Sequence, residues 1–268
     1  MIPTVLSIAG SDPSGGAGIQ ADLKAISANR AYGMAALTAL TAQNTTGVTG
    51  VHLVPAAFVA DQIDAVFADI RVDAVKIGMV ATAEIAEAVA DAIARHRPAA
   101  VVLDPVMVAK GGASLLAEDA VAALRKRLVP LADVLTPNLP ELAALLEIPA
   151  PGSRAEMAEA AARLRTEGPG AVLLKGGHLS GEESPDLLAT TEGDLWLEGP
   201  RHDTRNTHGT GCTLSAALAA RLALGEDLAT AARNAKDYVA GAIAAAGTLG
   251  VGHGHGPTHH FHALWSPS

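Results

Sequence analysis

Thr4-Val5-Leu6-Ser7-Ile8-Ala9-Gly10-Ser11-Asp12-Pro13-Ser14-Gly15-Gly16-Ala17-Gly18-Ile19-Gln20-Ala21-Asp22 is the stretch that decides the fold. Thr4–Ile8 is apolar and β-branched without alternation, as in a strand covered on both faces. Gly10–Gly18 is a polar turn whose glycines let backbone approach backbone or a ligand. Ala17–Asn29 then takes helical periodicity. Strand, glycine-rich turn and helix make one βα unit, and the same order recurs downstream.

Working outward, further strands are expected at Ala35–Leu40, Ala74–Ile77, Ala100–Leu103, Val134–Leu135 and Ala171–Leu174. Helices are expected at Pro55–Phe67, Thr82–His96, Ala117–Leu128 and Ser153–Glu167, the last opened by a Ser153/Glu156 capping box. Leu187–Thr190 and Leu195–Leu197, joined by Thr191-Glu192-Gly193-Asp194, read as an edge hairpin. Two long helices follow, Gly211–Leu224 and Asp227–Ala246. No internal repeat interrupts the pattern, and Pro149-Ala150-Pro151-Gly152 is too short a linker to divide the chain. The expected architecture is α/β: a three-layer αβα sandwich with a mostly parallel central sheet, and residues 1–268 as a single domain.

The 268 residues are 49% hydrophobic and 18% charged, enough for a large core. Aromatics are only 3%, so the core must be built from Ala, Val, Leu and Ile. A formal net charge of −9 argues against non-specific binding to nucleic acid or to an anionic membrane. A single cysteine excludes an intrachain disulfide and suggests a cytoplasmic protein. The N-terminal apolar run has no basic stretch before it and enters a polar turn, so it is expected to be a core strand and not a signal peptide. No apolar run is long enough for a membrane span.

In such sheets ligands bind where the strands end, so the loops carry the chemistry. Gln43 follows an apolar run closely. Its carboxamide offers a donor beside an acceptor and can pair with a ring nitrogen next to an amino group, or simply cap a turn. Gly78 lets backbone pass close to a pocket, and Met79 can cover a flat ring or fill the core. Asp104 and Glu141 lie after neighbouring strand candidates. Together they can hold Mg²⁺; separately they read as a turn residue and a first-turn helix charge. Lys175, followed by Gly176-Gly177, suits a phosphate contact or a surface turn. Asn206-Thr207-His208-Gly209-Thr210-Gly211-Cys212-Thr213 precedes a long Ala-rich helix. Gly209, Thr210, Gly211 and Cys212 there can converge backbone N–H groups on an anion, and a first-turn thiol is expected to have a lowered pKa. There is no Walker A motif and no dinucleotide fingerprint.

Taken in order, these loops resemble the ribokinase-like superfamily, and within it the hydroxymethylpyrimidine/phosphomethylpyrimidine kinases of thiamine biosynthesis. The matching stretches are 9–12 through Asp22, 43–45, 76–79, 104–107, 136–138, 175–178, 208–212 and the tail 252–257. The resemblance implies ATP and Mg²⁺ at the strand ends. It implies phosphorylation of 4-amino-5-hydroxymethyl-2-methylpyrimidine, then of its monophosphate to the pyrophosphate. Gln43 would pair with the aminopyrimidine edge, and Gly10, Asp22, Met79 and Val106 would shape the substrate pocket. Asp104 and Glu141 would organise Mg²⁺, directly or through water. Lys175, Lys236 and Asn138 would lie toward the nucleotide, and relatives imply a homodimer. Cys212 stands where many ribokinase relatives carry an Asp base. The competing readings are a pyridoxine/pyridoxal kinase, which would not use the Gln43 edge, and a non-catalytic pyrimidine or nucleotide binder. The histidines from His253 to His262 lack the i, i+4 spacing of a helical metal site. They are expected to close over the nucleotide region or to be solvated.

Overall fold

The computed structural model describes residues 1–107 and 118–265. Its main sheet has eight strands in the order β10-β9-β8-β7-β6-β5-β1-β2. The parallel part is β2 (Tyr32–Leu37), β1 (Thr4–Ala9), β5 (Ala74–Ile77), β6 (Val101–Leu103), β7 (Val134–Leu135) and β8 (Ala171–Lys175). β9 (Asp186–Ala189) and β10 (Asp194–Leu197) close that edge as the expected antiparallel hairpin.

Helices cover both faces, giving three layers. α1 (Gly18–Ala28), α7 (Thr210–Ala223) and α8 (Leu228–Ala244) bury Ala25, Ile26, Leu214, Leu218 and Ala232 on one face. On the other face lie α2 (Ala56–Asp69), α3 (Ala83–His96), α4 (Glu118–Ala123), α5 (Leu139–Leu146) and α6 (Arg154–Arg165). They bury Val59, Ile63, Ile85, Ala120, Leu142 and Leu164. The face changes because the chain changes direction: β1 to β2 runs one way across the sheet and β5 to β8 the other. Right-handed crossovers then force the helices to opposite sides. The reversal leaves a crevice beyond the ends of β1 and β5, the switch point at which open α/β sheets bind ligands.

Three expectations need correction. The predicted strand Ala35–Leu40 is broken at Thr38. Thr38 is fully buried; its N–H donates to Ala9 O at 3.1 Å and its hydroxyl to Met79 O at 2.7 Å. The chain leaves the main sheet there and forms a separate antiparallel hairpin, β3 (Ala39–Asn44) with β4 (Gly47–Leu53), so Gln43 lies on a strand and not in a loop. The Ser153/Glu156 box is half made: Ser153 accepts from Glu156 N at 3.3 Å, but the Glu156 carboxylate takes the Gly152 N–H at 2.6 Å instead of that of Ser153. The complete capping box is at Asn138/Glu141, opening α5, a helix expected only as a first turn at Glu141. The predicted helix 117–128 is α4 continued by a π-helical turn, Leu124–Leu128, and residue 117 lies outside the described residues. Among the described residues no helix is long and apolar enough to cross a membrane.

Candidate active site

At the switch point, Gly10 follows β1 and Gly78-Met79 follows β5. A side chain at Gly10 would collide with the Met79 methyl, so these two predicted pocket residues touch. Val106 is half-buried after β6. Gln43 reaches the same region from the hairpin. The β3–β4 register shifts between Ala42 and Gln43, a bulge of the kind that re-aims a side chain. The two heteroatoms of its carboxamide lie 3.3 Å from His208 Nε2 and 3.2 Å from Thr41 Oγ1.

His208 Nε2 is also 2.8 Å from the Asp12 carboxylate. Asp12 further accepts from the N–H groups of Ser14 and Ala17, each at 2.9 Å, so it organises the whole first loop. Burial works to raise its pKa, but the hydrogen bonds from His208 and Ser14 outweigh burial and bring it down to about 2.

The second cluster lies beyond β6, β7 and β8. Lys175, the last residue of β8, donates to Asp104 Oδ1 at 2.9 Å and stands 3.8 Å from Glu141 Oε2. Thr136 Oγ1 is 3.2 Å from Asp104 Oδ1, and Ser215 Oγ of α7 is 3.3 Å from Oδ2. Burial would raise Asp104, yet the charges of Lys175 and Lys76 hold it below the usual carboxylate range. Glu141 is pushed up to about 7, by burial first and by the Asp104 charge, with Lys175 offsetting part.

α7 enters between the two clusters. Gly209 is its N-cap at φ 76°, in the left-handed region, and a Cβ there would strike the backbone oxygen of Gly16. The glycine is therefore required by conformation and by space. A Cβ on Gly211 would stand 3.2 Å from Lys175 Nζ and 3.5 Å from Asp104 Oδ2. Backbone N–H groups of a first turn have no intrahelical acceptor. Those of Gly211 and Cys212 thus border a space floored by a lysine and a carboxylate.

The Cys212 thiol departs from expectation. It is partly exposed to solvent but set deep among surrounding atoms. Burial pushes it up to about 11, and the Lys76 charge reverses only part of that. Desolvation beats the helix terminus, so the site holds a thiol.

The remaining predicted residues are placed as follows. Asp22 has no exposed surface; it pairs with Lys76 at 2.8 Å and accepts from Ser7 at 2.6 Å. Asn138 and Glu141 engage each other in the helix cap, with Asn138 accepting from Glu141 N–H and Glu141 from Asn138 N–H, both at 2.8 Å. Lys236 donates to Ser184 O at 2.7 Å and to Asp186 at 2.8 Å, and Asp186 in turn accepts from Gly176 N–H at 2.9 Å. Lys236 is thus one step removed from Lys175. The tail binds the hairpin tip: His255 N–H donates to Thr45 O at 2.8 Å, and His208 N–H to Gly256 O at 3.0 Å. Among the described residues no three His, Cys, Asp or Glu side chains could hold a metal together.

Asp12, Lys76, Thr136 and Ser215 received no role from sequence reasoning. A signal existed for Lys76: a charged residue inside the otherwise apolar strand Ala74–Ile77 requires a buried partner.

An open α/β sheet with a glycine-lined helix entry over a Lys–Asp pair is what the resemblance to the ribokinase-like phosphotransferases leads one to expect. The chain belongs to the phosphomethylpyrimidine kinase family, whose model matches residues 12–259. It is 55% identical over 260 residues to an Escherichia coli K12 protein named hydroxymethylpyrimidine/phosphomethylpyrimidine kinase, covering 97% of this chain and 98% of that one. Among solved structures, an ADP complex of Bacillus subtilis pyridoxal kinase superposes with TM-score 0.91 at 37% identity, covering 99% and 100% of the two chains. Phosphomethylpyrimidine kinase from Clostridium difficile 630 gives 0.80 at 41%, covering 91% and 100%.

Proposed function

We propose that the protein acts as one ribokinase-like domain that transfers phosphoryl groups from ATP, first to 4-amino-5-hydroxymethyl-2-methylpyrimidine and then to its monophosphate, giving the pyrophosphate for thiamine biosynthesis. The observation that carries this is the first turn of α7, with Gly211 set over the Lys175–Asp104 pair. The hydroxymethyl oxygen attacks the γ-phosphorus, the bond to ADP breaks in line, and the proton leaves with solvent or a phosphoryl oxygen. Phosphoryl transfer is loose, so positioning and charge stabilisation dominate. The amides of residues 209–212 and the Lys175 ammonium supply that stabilisation. A thiol titrating near 11 is a poor proton acceptor at neutral pH, which moves weight from the Cys212 sulfur to the backbone around it. In the second step a phosphate oxygen of the monophosphate attacks a second ATP.

Gln43 reads the aminopyrimidine edge, with Gly10, Met79 and Val106 around the ring. Asp22 acts through Lys76 from below. Asn138 and Lys236 hold the nucleotide side through the α5 cap and the β9 strand. Mg²⁺ fits the donor set of Asp104 and Glu141, hard oxygens beside a phosphate-sized cradle. Both Asp104 oxygens already have protein partners, which favours contact through water. When bound, the ion neutralises phosphate charge. The exposed Leu40, Val51 and Leu53 of the hairpin support a homodimer. The lone cysteine and biosynthetic relatives support a cytoplasmic location.

A pyridoxal kinase reading has the Bacillus subtilis superposition behind it, but pyridoxal lacks a ring nitrogen beside an amine. Comparing kcat/KM for the two alcohols separates the readings; equal values would sink the aminopyrimidine assignment.

A further inference from the structure

The contacts of Gln43 contain a choice that its neighbours decide. A half-turn of a carboxamide exchanges oxygen and nitrogen, and only the hydrogen-bond network fixes which faces which neighbour. Thr41 has one hydroxyl hydrogen, and Oγ1 lies 2.8 Å from Ser11 O, a carbonyl that can only accept. That hydrogen is committed to Ser11. Thr41 Oγ1 therefore accepts from Gln43, and the atom 3.2 Å away must be the amide nitrogen. His208 gives the same answer independently. Its Nε2 is 2.8 Å from the Asp12 carboxylate, which only accepts, so Nε2 carries a hydrogen. That hydrogen points toward Asp12, and a protonated Nε2 has no lone pair to accept from an amide N–H, so the Gln43 atom 3.3 Å from Nε2 is the amide oxygen, which can share the hydrogen.

We infer that His208, held as an Nε2–H donor by Asp12, orients the Gln43 carboxamide with its oxygen toward His208 and its nitrogen toward Thr41, and so decides which way round the substrate ring docks. The inference rests on the reading of Gln43 as the group that pairs with the aminopyrimidine edge. The amide oxygen accepts from the exocyclic amine, and the amide nitrogen donates to the ring nitrogen. The amine then lies on the His208 side. In the substrate the hydroxymethyl group is carried on the carbon next to the one bearing the amine, so it falls further to that side. His208 immediately precedes Gly209, and the hydroxymethyl oxygen is delivered toward the first turn of α7. The opposite amide orientation would carry it toward Thr41 and away from the phosphoryl cradle. His208 is a positioning residue that sets specificity through Gln43.

The test compares kcat/KM for the aminopyrimidine alcohol with that for the same alcohol lacking the exocyclic amine. It uses the wild-type protein, His208→Ala, His208→Gln, Gln43→Ala and the double variant His208→Ala/Gln43→Ala. His208→Ala is expected to lower the preference for the amine about tenfold, the worth of one hydrogen bond, and to do so mainly through KM. His208→Gln, which keeps an N–H at similar reach, should retain the preference within about threefold. In the Gln43→Ala background, His208→Ala should change the preference by less than about twofold, because coupled residues are not additive. An equal tenfold loss in that background would overturn the role of His208. So would an unchanged preference in His208→Ala when Gln43→Ala loses it. An unchanged preference in Gln43→Ala would instead sink the reading of Gln43 itself.

Discussion

Lys76 and Asp22 meet at 2.8 Å with both side chains 0% exposed, directly beneath the site that α7 enters. Burial would lower the lysine, but the Asp22 charge and hydrogen bond act together with the Asp104 charge against it, so the ammonium stays protonated. Its Nζ would lie 2.7 Å from a Cβ at Gly78, so this charge sits immediately under the Gly78 backbone. Removing one member of a buried pair strands the other, at a cost of about 3–5 kcal/mol, whereas replacing both with apolar groups is often neutral. Lys76→Met should therefore lose stability on that scale in urea unfolding, and Lys76→Met/Asp22→Leu should recover at least half of the loss. A double variant no better than the single would contradict the pairing.

The two glycines of the helix entry should fail differently. Gly209 holds φ 76° with Gly16 backbone oxygen where a Cβ would go. Gly209→Ala should unfold more easily by about 1–3 kcal/mol, as expected for a side chain forced into a strained region. Gly211 has no such φ, and the nearest atoms to a Cβ there are Lys175 Nζ at 3.2 Å and the Asp104 carboxylate at 3.5 Å. Gly211→Ala should keep the wild-type unfolding midpoint while kcat falls on the order of a hundredfold, the effect of misplacing a reacting group by about an ångström. Thermal melts and steady-state assays on the pair check both halves.

Glu141 gives a pH signature. Its folded pKa is raised to about 7 from an ordinary value near 4.5. Below about 4.5 the carboxyl is neutral in both states and costs nothing. As pH rises from 4.5 to 7 the unfolded chain ionises first and native stability is lost. Glu141→Gln removes the charge and keeps an oxygen for the Asn138 N–H. The variant should match wild type at pH 4.5 and exceed it at pH 8 by about 1–3 kcal/mol. Chemical denaturation across that range reads the difference. A gap that shrinks as pH rises would reverse the sign.

Cys212, with its thiol near 11, should be thiolate in only about one molecule in 10⁴ at pH 7. Iodoacetamide should modify it about a hundredfold more slowly than a free cysteine, since the thiolate is the nucleophile. Cys212→Ala at saturating ATP should lower kcat by less than about a hundredfold, below the usual range for a lost general base. Cys212→Asp supplies the carboxylate for comparison. A loss in Cys212→Ala as large as that from withdrawing Mg²⁺ would restore the sulfur as the proton acceptor.

The sequence made the layered fold legible because its signal is local. Apolar runs such as Thr4–Ile8 are buried on both faces, and helices such as α3 carry their own caps. The hairpin β3–β4 was hidden because its break depends on Thr38, whose partners Ala9 and Met79 come from other strands. Candidate site residues can be named where a loop sets them at a strand end, as for Asp104, Lys175 and Gly211. Their partners could not: the links of Asp12 to His208 and of Asp22 to Lys76 span 196 and 54 residues. The Cys212 shift runs opposite to the sequence expectation for a similar reason. A helix terminus shows in sequence, but the depth of atoms around a thiol exists only after folding.

The most direct test of the central claim is incubation with Mg-ATP and 4-amino-5-hydroxymethyl-2-methylpyrimidine, followed by mass spectrometry over time. Monophosphate is expected first and pyrophosphate after it, with one ATP consumed per phosphoryl group added. Monophosphate that accumulates without pyrophosphate would contradict the second step, and no phosphorylated pyrimidine at all would contradict the assignment.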